Sequence, residues 1–162
     1  MRLEVYIEYE FIHSNKTRLS AFTSTAYIDA HYVNGKVSNG TENQSIKGNK
    51  VESVPEWTTR NGIEFNYRWL STTLLITHVS PSFADAFNTV LPSINGAKGI
   101  VPSYTLADLN STFHFTDRYK VRFGINNLLN KSYFTKRPTF YPGPGIWPSD
   151  GRSIVVTVGV KI

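Results

Sequence analysis

The side chains that could do chemistry in this chain are few and scattered. His13, His31, His78 and His114 lie far apart, and no second His or Glu stands at metalloprotease spacing from any of them. No Gly-x-Ser-x-Gly elbow or phosphate-cradling glycine loop occurs. Cysteine is absent, which removes disulfides, thiolate ligands and thiol nucleophiles together. Asp29 and His31 share one face of an extended segment and can touch, but no nucleophile accompanies them. The formal charge of +5 is dispersed without a basic run, so a nucleic-acid partner is not expected. The expectation is a protein that is not an enzyme and that has neither a cofactor nor a metal site of its own.

The elements that must position these groups are strands. In Gly151 to Ile162, residues Ile154, Val156, Val158, Val160 and Ile162 occupy one parity, and Ser153, Val155, Thr157, Gly159 and Lys161 the other. That is period two, with one apolar face. Leu3 to Phe11 alternates in the same way against Glu4, Tyr6, Glu8 and Glu10. Arg18 to Tyr32 reads as a second strand of unresolved parity, because Phe22 and Tyr27 fall on opposite faces. Thr59 to Tyr67, Leu70 to Val79, Ser103 to Phe115 and Tyr119 to Asn126 complete the set. Arg60, Glu64, Arg68, Asp108, Lys120 and Arg122 then share the polar face, where the plainest expectation is cross-strand ion pairing along a wet wall.

Connections alternate between tight turns, near Ser14, Trp69 and Asp117, and long polar loops, Val33 to Trp57, Ser80 to Pro102 and Asn130 to Asp150. A small hairpin could hide in the first loop. The eight prolines all fall outside the proposed strands, as the missing ladder donor requires. Hydrophobic residues make up only 40% of the chain, yet aromatics reach 14%. No apolar run approaches the roughly 18 residues of a membrane-spanning helix. Alternation, aromatic content and short turns opposite long loops fit an all-β, antiparallel transmembrane β-barrel segment of about seven meander strands.

Particular segments sharpen this. Val121 to Phe134, VRFGINNLLNKSYF, resembles the penultimate strand and following motif of TonB-dependent outer-membrane receptors. Tyr133 to Ser153, YFTKRPTFYPGPGIWPSDGRS, is similar to the last external loop of their ferric citrate branch. Glu52 to Arg60, ESVPEWTTR, and Leu3 to Tyr9 are similar to further strand segments of the family, so the resemblance runs from end to end of the chain.

The resemblance implies a bacterial outer-membrane barrel of about 22 strands around an N-terminal plug. Residues 1–162 would be the C-terminal part of that barrel, without the plug and the N-terminal strands, and would not transport alone. No signal-peptide pattern follows Met1. The implied partners are outer-membrane lipid, a ferric chelate such as ferric citrate or a related siderophore, the TonB system through the missing N-terminal region, and the barrel assembly machinery through Gly151 to Ile162. Family members usually end in an aromatic residue, whereas this chain ends in Ile162.

For an anionic chelate, cationic loop side chains would supply charge-assisted hydrogen bonds. Lys136 and Arg137 are the candidates, with Tyr141 and Trp147 bordering the ligand; the plainer roles are pinning the loop and packing within it. Arg60, Glu64, Asp108 and Arg122 would face the lumen. Two other architectures fit the alternation. One is a soluble β-sandwich binding module, in which Val121, Phe123, Ile154, Val156 and Val158 would pack on a second sheet. The other is a small eight-stranded outer-membrane barrel, in which first and last strands would pair.

Overall fold

The computed structural model describes residues 1–140 and 143–161. The expectations placed on Tyr141 and on the terminal Ile162 therefore lie outside the described residues. In chain order the strands are β1 (Arg2–His13), β2 (Thr17–Ile28), β3 (Lys36–Ser38), β4 (Asn43–Ser45), β5 (Trp57–Tyr67), β6 (Leu70–Val79), β7 (Ser82–Phe83), β8 (Ile100–Val101), β9 (Tyr104–His114), β10 (Tyr119–Asn126), β11 (Phe134–Lys136), β12 (Trp147–Pro148) and β13 (Ser153–Val160).

Seven of them form one antiparallel sheet in the order β1-β2-β5-β6-β9-β10-β13, each paired with the next wall strand along the chain. The other six make three two-stranded hairpins, one within each long connection. Adjacent wall strands are joined either by residues 14–16, 68–69 and 115–118 or by residues 29–56, 80–103 and 127–152. The tight turns lie along one rim and the long loops along the other.

The period-two pattern of each strand becomes two chemically distinct faces because the register keeps like with like. Tyr9, Ala21, Ile63, Leu74, Leu109, Ile125 and Ile154 stand opposite one another in an unbroken apolar row across all seven strands. The neighbouring row on the other face is Glu10, Ser20, Glu64, Thr73, Asn110, Gly124 and Val155. Among the described residues no second sheet covers the apolar face: Ile154, Val156 and Val158 are 61%, 61% and 68% exposed. That excludes the sandwich. β1 and β13 are the two opposite edges of the sheet, so a closed eight-stranded barrel is excluded as well.

Several boundaries differ from the sequence reading. β1 carries a bulge between Glu10 and Ile12, so Ile12, not Phe11, stands opposite Leu19. The second strand ends at Ile28 rather than Tyr32, and the last spans Ser153–Val160. The parity conflict in β2 has a physical solution. Phe22 lies on the polar face because its ring covers Gly62, where a Cβ would meet ring carbons at 2.2 and 2.3 Å. Tyr27 lies on the apolar face, its ring 4.6 Å from that of Trp57. The expected hairpin of the first loop is β3 with β4, outside the wall.

Candidate functional site: the long-loop end

The long loops are held at their feet before they are held to each other. Asn127, immediately after β10, is 4% exposed with a left-handed φ of 50°, a conformation Asn tolerates better than most residues. Its backbone N–H donates to Asp108 Oδ1 at 2.7 Å. Its side chain accepts from Lys131 N at 2.8 Å and donates to Lys131 O at 2.9 Å. A longer contact runs from Nδ2 to Asp150 O at 3.4 Å. Asn130 closes the arrangement by accepting from Arg152 N at 3.0 Å. The Asn-Asn-Leu-Leu-Asn stretch is thus a clasp joining both feet of the third loop to the top of β9.

Above the clasp the three loops form one layer. Asn49 Nδ2 donates to Ala86 O at 2.8 Å, Asn88 Nδ2 donates to Lys50 O at 2.8 Å, and Asn88 Oδ1 accepts from Lys50 N at 2.7 Å, tying the first loop to the second. Arg137 ties the third loop to the second: its Nη1 donates to Gly96 O at 2.8 Å and its Nε to Ile100 O at 3.1 Å. The guanidinium also sits 4.9 Å from the Phe134 ring centroid. Gly96, at φ 73°, allows the backbone approach, since a Cβ there would stand 3.1 Å from Gly145 Cα. Most of the buried apolar side chains, Ile46, Ala97 and Val101, belong to this layer rather than to the wall. Tyr133 packs on Tyr104, on the polar face, with centroids 4.7 Å apart, so the third loop folds over the polar side of the sheet.

The structure separates the two candidate cations. Lys136 is exposed and stands opposite Trp147 in the β11–β12 hairpin. Both line an open cleft of about 460 Å³ with Tyr133, Thr135, Ser149 and Asp150. Arg137 is instead committed to the loop contacts described above. In the first loop, the Tyr32 hydroxyl donates to the Glu52 carboxylate. That hydrogen bond, with desolvation and the carboxylate charge, holds the phenol above its ordinary range. Asp29 and His31 meet at 2.9 Å, as their spacing allows, on the exposed surface.

Arg60, Glu64, Asp108, Lys120 and Arg122 do share the polar face. The ion pairs expected for them are absent among the described residues, and the register explains why. Arg60 stands between Ser24 and Thr77, Glu64 between Ser20 and Thr73, Arg122 between Thr112 and Thr157, and Lys120 between His114 and Gly159. Asp108 serves the clasp, and Arg68 is a turn residue rather than a wall residue. Ion pairing concentrates instead between β1 and β2, where Arg18 meets Glu8 at 3.2 Å and Glu10 at 3.1 Å. No group of three or more His, Asp or Glu among the described residues could hold a metal ion.

One polar face, one exposed apolar face, and loops gathered along a single rim form a wall segment. The sequence signature described as TonB dependent receptor-like, beta-barrel matches residues 3–128. The chain belongs to that family. Solved structures agree on the fold. The ferric citrate transporter FecA in the unliganded form superposes with a TM-score of 0.73 at 22% identity, over 88% of this chain and 21% of that one. The siderophore receptor PiuA from Acinetobacter baumannii gives 0.68 at 23% identity, over 93% and 20%. The ferric yersiniabactin uptake receptor FyuA from Yersinia pestis gives 0.65 at 15% identity, over 98% and 23%. This TonB-dependent receptor-like chain therefore spans about a fifth of the length of the structures it matches. No curated protein matches it in sequence.

Proposed function

We propose that this chain is the C-terminal part of the wall and loop layer of a bacterial outer-membrane receptor that takes up a ferric chelate, with ferric citrate as the leading cargo. The apolar face meets lipid, the polar face lines the lumen, the tight turns face the periplasm and the long loops face outward. The observation that carries the reading is the unbroken apolar row, exposed at Tyr9, Ile63 and Ile154, backed by a mostly polar row across all seven strands. Lipid supplies the burial that a second sheet would otherwise supply. The edges β1 and β13 carry ladder groups that must be paired in a bilayer, so further strands complete the wall and the chain alone does not transport. A plug, the contact with TonB and the rest of the wall belong to sequence outside these 162 residues. The assembly machinery engages the last strand.

The cargo assignment rests on chemistry. Lys136, opposite an exposed indole in an open cleft, offers a charge-assisted donor to a carboxylate-rich anionic chelate, while Arg137 keeps the loop that carries it in place. The cargo named for one structural relative, ferric citrate, has that chemistry. The test is uptake of radiolabelled ferric citrate by cells with and without the receptor. Deletion should abolish the saturable component, and Lys136→Ala should lower apparent affinity by about tenfold, the order of one charge-assisted hydrogen bond. Unchanged growth on citrate-bound iron after deletion would sink the cargo assignment.

A further inference from the structure

The tight-turn rim carries a charge pattern that capture of a chelate at the other end does not use. Residues 14–16, 68–69, 115–118 and 161 hold four cationic side chains, Lys16, Arg68, Arg118 and Lys161, and one acidic side chain, Asp117. Lys120 adds a fifth cation just inside the rim, its stem lying across Gly159 on the polar face. None of the five has a carboxylate of the described residues within 4.0 Å. The loop end differs, because its cations are interleaved with Asp29, Glu42, Glu52, Glu56, Asp85 and Asp150.

Aromatic rings stand beside these cations. Trp69, 50% exposed, stacks on Phe113 of the apolar face with centroids 6.0 Å apart and planes 23° from parallel. The Arg68 guanidinium sits 5.9 Å from the Tyr67 centroid. Tyr119, 53% exposed, heads β10 beside Arg118. A cleft of about 440 Å³ passes over the rim between Arg118, Lys120 and Lys161, with Tyr119 and Val160 from the apolar face on one side and His114 and Gly159 from the polar face on the other. Rings that suit the boundary between hydrocarbon and water, with cations immediately beyond them, match a layer of phosphate groups lying over acyl chains.

We infer that this rim docks anionic glycerophospholipid headgroups of the bilayer leaflet next to the turns, with Arg118, Lys120 and Lys161 holding phosphate in the cleft and Lys16 and Arg68 extending the cationic line. The inference rests on the membrane-wall reading given above. It commits to lipid because soluble phosphate gives no reason for the flanking exposed rings, and the cleft continues directly from the apolar face.

The test is native mass spectrometry of the whole receptor in detergent supplemented with phosphatidylglycerol or phosphatidylcholine, counting retained lipids. The unaltered receptor should retain phosphatidylglycerol preferentially. The combined variant Lys16→Ser, Arg118→Ser, Lys161→Ser should lose that preference by at least about tenfold, given the attraction each cation near an anionic surface contributes. A control variant at the other end, Lys36→Ser, Lys47→Ser, Lys131→Ser, should keep it. Equal retention of the two lipids, or equal loss in both variants, overturns the inference. So does displacement of phosphatidylglycerol by free glycerol phosphate or by an acidic peptide at comparable concentration, since the surface would then read phosphate or protein rather than lipid. Insertion into vesicles is measured separately by protease protection. Insertion without headgroup preference defeats this inference alone, whereas failure to insert defeats the membrane-wall reading beneath it.

Discussion

At the tight-turn rim the chain reverses through residues 14–16, 68–69 and 115–118, all of them exposed. At the loop end the reversals take residues 29–56, 80–103 and 127–152, and Ile46, Ala97 and Val101 of these loops are buried. Each end has a non-glycine residue in left-handed backbone: Arg68 at φ 38° among the turns and Asn127 at φ 50° among the loops. The Asn127 side chain both donates and accepts, whereas the Arg68 side chain makes no hydrogen bond or ion pair among the described residues and lies 5.9 Å from the Tyr67 ring centroid. The difference is one of range: the turns are closed by bonds within a few residues, Thr17 N donating to Ser14 Oγ and Tyr119 N to Thr116 Oγ1, while the loops need contacts between distant segments, because nothing in a single sheet fixes a long connection. Mutations should therefore be severe at one end and mild at the other.

The largest effect should come from Asn127→Ala. It removes the side-chain bonds to Lys131, leaves part-buried backbone groups unpaired and puts alanine in left-handed backbone, for a combined cost of about 2–4 kcal/mol. Denaturant unfolding of the detergent-solubilised protein measures that loss, and limited proteolysis should show cutting confined to residues 127–152. A loss below 1 kcal/mol would break the comparison.

Arg137→Ala comes next. Two charge-assisted hydrogen bonds and a ring contact disappear, at about 1.5–3 kcal/mol for loop docking rather than for the wall. Hydrogen exchange should quicken at residues 96–100 and 134–138 while the wall strands stay protected. Arg137→Lys should restore little, because an ammonium cannot span Gly96 O and Ile100 O with the geometry of a planar fork.

Arg68→Gly has the opposite sign. Glycine accepts the positive φ without a Cβ penalty, so the turn should be neutral or gain up to about 1 kcal/mol. A clear destabilisation in the same unfolding measurement would mean that the Arg68 side chain holds the turn, and that the two ends are more alike than their hydrogen bonds indicate.

What could be read from the residue order follows the same division. The seven wall strands and the alternation of turns with loops follow from period two and from proline placement, both local signals. Phe22 could not be assigned a face locally, since its reason is Gly62, forty positions away and visible only through the register of β2 with β5. The expected ion pairs of Arg60, Glu64 and Arg122 failed for the same kind of reason: Ser and Thr stand opposite them. Lys136 and Arg137 are adjacent and chemically alike, yet only the hydrogen bonds to Gly96 O and Ile100 O separate the half-buried pin from the exposed donor. The Asn127 clasp left a faint trace in the sequence, an Asn-rich stretch closing a strand, but its acceptor Asp108 lies on another strand.

The smallest effect concerns pH and also distinguishes the ends. The Tyr32 phenol is raised above its ordinary range by its hydrogen bond to Glu52, with desolvation and the carboxylate charge adding to it. A group whose folded pKa exceeds its unfolded one contributes stability that is complete below the unfolded value and is lost as pH climbs through the folded value. The contribution should therefore be intact at neutral pH and fall away only above about pH 10, the ordinary phenol range. Tyrosinate absorbance should show a late-titrating component that Tyr32→Phe removes, and alkaline pH should quicken hydrogen exchange in residues 29–56 before the tight turns respond. In Glu52→Gln the carboxylate charge is gone while a hydrogen-bond acceptor remains, so the titration should move back toward the ordinary value without vanishing into it. If Tyr32 titrates normally in the unaltered protein, the contact with Glu52 is not holding the first loop, and its place in the layer rests on the bonds of Asn49 and Asn88 and on the backbone bond from Ser53 N to Phe83 O.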